Sequence, residues 1–341
     1  MKNKLLPFCS LVFSAGLLLF TTNAGAENIF TSSASKAGGA IVKASKATGS
    51  AAVKTAKVIT PNSFFIEGSM LEVGGDPQIY GTQSGDYPYA IETVNSSASG
   101  AFRSGIGYDI ALDKELRFSY FRLKTDNRNS TGVEGVAFYG NDDSADVDYG
   151  SASAEFEHEI NSIDIEIAKT KVVSNDLDLK ISGGLKYASY QRNVNAIYKG
   201  GSGFSNDGDP TSIKSDFKGF GPEIGIEADY KIASDFSVYG GANVALIAGN
   251  LRVSRNSTAD TDSYGYTNKD RDVVPIFAGD FGLKWSKANI AGNNSLAIKI
   301  GYHIETWQSV FIDAAHYPNA AKIEHNDLAL SGAYLRTTFS F

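Results

Sequence analysis

From about residue 64 to its end the chain alternates apolar and polar residues with a period of two. Ile106, Tyr108, Ile110 and Leu112 share one parity, with Arg103, Gly105, Gly107, Asp109 and Ala111 on the other. The same beat recurs in Phe220, Ile224, Ile226 and Tyr230 against Glu223, Glu227 and Asp229, and in Ile298, Ile300, Tyr302 and Ile304 against Lys299, His303 and Glu305. Such alternation marks strands with one apolar and one polar face. Ten are predicted, at roughly 64–73, 100–112, 116–124, 149–168, 177–190, 217–230, 236–250, 273–285, 295–307 and 328–341. Most are long enough to cross a bilayer at the tilt of a barrel. In the fourth, Phe156, His158 and Ile160 are even and Ile163, Ile165 and Ile167 odd, which predicts a bulge near Asn161-Ser162.

The connections between these strands run alternately long and short, as external loops and periplasmic turns do in outer-membrane barrels. An even strand number returns the chain to the side on which it began. The expected fold is therefore all-β, an antiparallel transmembrane β-barrel of about ten strands with five long external loops. A soluble β-sandwich would need a second layer to cover the outward Ile, Leu and Phe side chains. The last strand ends in Thr337-Thr338-Phe339-Ser340-Phe341, and a terminal Phe of this kind is the signal that the barrel-assembly machinery reads.

The leader changes how the composition is read. Lys2 and Lys4, the apolar run from Leu11 to Phe20 and Ala24-Gly25-Ala26 make residues 1–26 a signal peptide cleaved near Ala26. It carries the single cysteine, Cys9, so the mature chain has no disulfide and no thiolate metal ligand. Residues 27–62 are rich in Ala, Ser and Lys. In a helix, Lys36, Lys43, Lys46, Lys54 and Lys57 would share an arc of about 80°. This segment is expected in the periplasm or the lumen, with the barrel at 63–341. The net charge of −7 offers no general attraction to nucleic acid.

Parity assigns the candidate chemistry. Arg103, Asp109, Asp164, Glu166, Lys180, Lys186, Glu223, Glu227, Asp280, Lys299 and Glu305 should line the lumen, joined by Asp178, Asp229, Lys284 and Arg336. Rings of charge set ion preference in pores, and the acidic excess suggests weak cation preference. The competing reading is that these charges pair and fill the interior, since ten strands leave only a narrow passage. Gly105, Gly107, Ala111, Gly184, Ala188, Gly219, Gly221 and Gly225 on the lumen parity suggest open space. Aromatics including Tyr190 and Trp307 are expected in interfacial girdles, and His158 at an interface or beside the bulge. His316 and His325 lie near Asp313, Glu324 and Asp327 without metal-site spacing, and the run from Asn141 to Asp148 lacks the Gly and terminal Glu of a calcium loop. His303 with Glu305 is too little for a catalytic constellation. No enzyme, cofactor or metal is expected.

Several runs resemble one known family. They are Ile163-Asp164-Ile165-Glu166, Gly183-Gly184-Leu185-Lys186-Tyr187, Phe220-Gly221-Pro222-Glu223, Gly240-Gly241, Val274-Pro275, Gly282-Leu283-Lys284-Trp285 and Leu330-Ser331-Gly332-Ala333-Tyr334-Leu335. In order and spacing, from roughly 100 to 341, they are similar to the Legionella major outer membrane protein family of pore-forming proteins. The resemblance implies a Gram-negative outer-membrane porin surrounded by lipid and passing ions or small hydrophilic solutes. Residues 31–60 have no counterpart there. The cysteines that cross-link some members are absent, so no covalent oligomer is expected and a non-covalent homo-oligomer stays open. The alternative is a non-conducting structural or adhesive barrel acting through its loops. A third reading has residues 31–60 plugging the channel.

Overall fold

The computed structural model describes residues 62–74, 80–82, 90–92, 98–111, 113–131, 136–138, 151–199, 209–259, 262–290, 294–313 and 324–341. All belong to the unit Ile59–Phe341. The signal peptide, the Lys/Ala-rich segment, residues 141–148 and His316 lie outside the described residues.

Ten strands close into a barrel: β1 (Ser63–Gly74), β4 (Ser99–Ala111), β5 (Lys114–Thr131), β7 (Ser151–Val172), β8 (Leu177–Lys199), β9 (Asp209–Lys231), β10 (Phe236–Ala259), β11 (Asp262–Lys287), β12 (Ser295–Asp313) and β13 (Glu324–Ser340). Each pairs antiparallel with its neighbours, and β1 closes the ring between β13 and β4. Three short strands, β2 (Tyr80–Thr82), β3 (Ala90–Glu92) and β6 (Val136–Phe138), form a separate sheet from the first two long connections. The alternation does not predict that sheet.

The outward parity is the apolar one. Ile66, Ile163, Ile165, Leu185, Phe220, Ile224, Phe281, Ile300 and Leu335 are all exposed on the wall. On β9 the outward apolar residues run from Phe220 to Tyr230, a height of roughly 25 Å for a tilted strand, which matches the lipid-facing band of outer-membrane barrels. No helix among the described residues is long and apolar enough to cross a membrane. Strands make the crossing.

Two features differ from the sequence expectation. First, the strands continue past the apolar band: β10 and β11 pair from Phe236↔Trp285 up to Ala259↔Asp262, so the expected long loop over 251–272 is mostly hairpin. Above the lipid an apolar outer row is no longer needed, as exposed Arg252, Asn256 and Lys269 show, although backbone pairing continues. Second, the pairing of β7 with β5 and β8 is unbroken through Asn161 and Ser162, so the bulge expected there is absent. Register shifts lie instead on β4 between Asp109 and Ala111 and on β12 between Trp307 and Phe311. There Ser309 has φ 55°, and its N–H donates to Asp327 Oδ1 at 2.7 Å.

At the seam, Phe64 lies opposite Phe339, and the Phe341 N–H donates to the Asn62 carbonyl at 2.9 Å. The rings of Phe64, Phe339 and Phe341 gather with centroids 5.4–6.1 Å apart. The ends of β1 and β13 at this seam share one side with the four short turns, hereafter the turn side. The opposite side is the loop side.

Candidate functional site in the barrel lumen

The inward parity carries charge on the turn-side half of the wall, and the strands set these groups against one another. Lys186 on β8 lies between Asp164 on β7 (2.8 Å) and Glu223 on β9 (3.5 Å). Lys299 reaches Glu227 at 2.7 Å, and Lys284 reaches Asp229 at 3.1 Å. Lys180 meets Glu115 at 2.7 Å, which Arg117 also contacts at 3.2 Å while lying 3.9 Å from Glu166. Arg336 and Arg103 converge on Glu67 at 2.7 and 3.8 Å. Asp280 accepts from the Tyr334 hydroxyl at 2.7 Å, and Tyr334 shares a second hydroxyl contact with Tyr239. Glu305 accepts from the Trp307 indole and lies 3.3 Å from His303.

Ten of the eleven singled-out lumen residues thus make side-chain ion pairs or hydrogen bonds, gathered in several small clusters. Asp109 does not. It is exposed at the turn-side rim, where its backbone N–H donates to Asn62 Oδ1 at 2.8 Å. Sequence parity misses Glu67, Glu115, Arg117, Tyr239 and Tyr334. Glu67, Glu115 and Arg117 sit on β1 and β5, where apolar residues such as Phe64-Phe65-Ile66 and Tyr120-Phe121 fall on both parities and blur the alternation, and the tyrosines read as apolar. A cavity of about 100 Å³ remains among these groups, lined by Arg117, Asp164, Lys180, Glu223, Glu227 and Asp280 among others.

On the loop-side half the same parity becomes apolar. Following each strand away from the turns, Glu67 gives way to Leu71, Asp164 to Ile160, Lys186 to Tyr190, Glu223 to Phe217, Asp280 to Ile276 and Glu305 to Trp307. Phe156, Tyr190, Phe217, Trp307 and Phe311 are fully buried in one cluster that spans the lumen. Tyr190 and Trp307 are therefore core residues and not girdle aromatics, with their rings 6.5 Å apart. His158 is buried here too, its Nδ1 3.0 Å from the Tyr190 hydroxyl. Arg192 lies in the same tier with its guanidinium 4.6 Å from the Phe311 ring. The apolar even positions of β7 face this cluster, which is why its pattern resembles a parity switch.

The lumen-side glycines do not leave open space. A Cβ at Gly184 would strike the Ile165 carbonyl, one at Gly221 the Leu246 carbonyl, and one at Gly105 the Phe65 ring. Glycine at these positions lets adjacent strands approach closely as the wall bends. Outside the lumen, carboxylate oxygens of Asp126, Glu155 and Glu157 lie within 4.8 Å of one another toward the loops, and Asn193 donates to Glu157 at 3.2 Å. On the turn side, Lys169 lies 3.1 Å from Asp113 and holds its exposed carboxyl below the usual aspartate range.

Residues 64–341 match the family described as Legionella pneumophila major outer membrane protein precursor. No curated protein matches the chain. Among solved structures, the outer membrane protease OmpT from Escherichia coli is similar at 14% identity, over 84% of this chain and 99% of that one, with a TM-score of 0.41. The translocator domain of the autotransporter NalP from Neisseria meningitidis is similar at 11% identity, over 91% and 97%, with a TM-score of 0.36. A major outer membrane protein from Thermus thermophilus is also similar at 11% identity, over 82% and 100%, with a TM-score of 0.33.

Proposed function

The chain belongs to the family of the Legionella pneumophila major outer membrane protein, and from that premise we propose a narrow passive channel for ions or small hydrophilic solutes, closed at rest by its apolar tier. The observation that carries this reading is the charged cavity at membrane depth, bordered by Asp164, Lys180, Glu223 and Glu227. Ionisable groups in that position usually mark a solute or ion pathway. The turn-side half is the vestibule. The cluster of Tyr190, Phe217, Trp307 and Phe311 is the constriction, and hydrophobic constrictions gate by excluding water. The vestibule charges are paired, so selectivity is expected to be weak. The reading is non-enzymatic: His303 and Glu305 are buried, and Glu305 is already engaged by Trp307.

The packed apolar tier also favours a second reading, a non-conducting surface barrel that acts through its loops. Planar-bilayer recordings of the purified mature chain separate the two. The channel reading expects small steps for the wild type and larger ones for the double variant Trp307→Ala, Phe311→Ala. A folded double variant without steps would leave the surface-barrel reading. A reversal potential in a salt gradient then gives the ion preference, and protein lacking residues 31–60 conducts more if that segment plugs the lumen.

A further inference from the structure

The lipid-facing band ends differently on different strands. On β9, β10 and β11 the last outward apolar row toward the loops is Phe220, Ala248 and Val273, which the register places side by side. One row higher stand Lys218, Asn250 and Arg271, and the next holds Asp216, Arg252 and Lys269. Lys214 follows above Asp216. All five cations are exposed, and they project outward because the residues between them, such as Phe217, Leu251 and Val253, are buried in the lumen.

Among the described residues this basic patch is only partly neutralised. Asp216 bonds to Lys218 at 3.2 Å, and among the described residues no carboxylate forms an ion pair with Lys214, Arg252, Lys269 or Arg271. Arg252 stands directly opposite Lys269, a like-charge pairing that destabilises a sheet unless an anion lies between. Asp270 and Asp272 take the inward parity of buried Val274 and do not share the face. The turn side differs: the outward Lys169 and Lys287 have Asp113 and Asp235 at 3.1 Å.

Long connections lie outside the cell in this architecture, so the patch sits at the headgroup level of the outer leaflet. We propose that it binds the sugar-linked phosphates of an outer-leaflet glycolipid of the lipid A type, whose acyl chains lie along Phe220 and Val273 below. The patch combines guanidinium groups, which take phosphate oxygens in a bidentate fork, with ammonium groups that act as point charges. An apolar row beneath a cationic row matches a ligand that is itself acyl chain below and phosphate above.

The test uses the full mature chain in detergent, titrated with lipid A and read as bound adducts by native mass spectrometry. The triple variant Arg252→Gln, Lys269→Gln, Arg271→Gln is expected to bind roughly 100-fold more weakly, the loss anticipated for three surface cations on an anionic lipid. The variant Lys169→Gln, Lys287→Gln is expected to bind as the wild type does. Dephosphorylated lipid A is expected to bind the wild type as weakly as intact lipid A binds the triple variant, and millimolar inorganic phosphate not to displace the intact lipid. Binding by the triple variant within threefold of wild type overturns the proposal. Equal binding of the dephosphorylated lipid, or displacement of the intact lipid by inorganic phosphate, does so as well. Should the triple variant not fold, Arg271→Gln alone is expected to lose roughly fivefold.

Discussion

The two halves of the lumen use one wall and one parity but different physics. In the turn-side half, cohesion comes from Lys186, Lys299, Arg117 and Arg336 set among carboxylates. In the loop-side half it comes from hydrocarbon packed around Trp307, Phe217 and Phe156. The charged half depends on every partner being present, because a lone buried charge is costly. The apolar half rests mainly on hydrocarbon contacts, with His158 and Arg192 as its buried polar members, and responds chiefly to volume. A barrel of this size can thus be stable throughout and still contain one end able to hold water and one that excludes it.

The charged half is disrupted most severely by removing a cation that two acids share. Lys186→Ala leaves Asp164 and Glu223 facing each other and should cost about 3–5 kcal/mol in urea unfolding from vesicles. Adding Glu223→Gln should return part of that loss, and a loss under about 1 kcal/mol would mean the charged half is not a paired network. Next, Ile160→Ala in the apolar half should cost about 2–5 kcal/mol, with no dependence on salt between dilute and molar sodium chloride. Salt dependence equal to that of Lys186→Ala would erase the distinction. Tyr334→Phe, at the border between the halves, removes the donor to Asp280 and should cost about 1–3 kcal/mol.

The smallest effect lies outside both halves. Because Lys169 lowers the Asp113 pKa, the contact contributes above the usual aspartate range and is lost as pH falls through the lowered value. Carboxyl NMR of Lys169→Gln should show Asp113 titrating back toward its ordinary range, with neutral-pH stability unchanged.

Much of the architecture is legible in the alternation because lipid demands it: Ile224, Phe281 and Ile300 must face outward wherever the chain crosses the bilayer. The alternation does not say what lies inside. Where the interior is also apolar, Phe156 and Ile160 mimic a change of face, and Tyr190 and Trp307 pass for interfacial aromatics. Strand length beyond the band is equally silent, since most residues from Arg252 to Ala259 and their partners from Asp262 to Lys269 are polar and show no sustained alternation. Parity finds the charged lumen residues except where it is itself blurred, as at Glu67 on β1 and Arg117 on β5. Glycine misleads because composition suggests room, whereas Gly184 and Gly221 mark strands too close for any other residue.

The seam between β1 and β13 carries a consequence in time. Arg336 and Glu67, bonded at 2.7 Å, are 269 residues apart in sequence, so the contact that closes the ring is among the least local the chain can make. Its entropic cost grows only slowly with that separation, but nothing rewards it until the intervening strands are in register. Closure is thus expected to come late and all at once, with both edge strands exposed to foreign pairing until it does. The ring cluster of Phe64, Phe339 and Phe341 then acts as a latch, one whose loss would lengthen the wait for the barrel more than it would shorten the barrel's life.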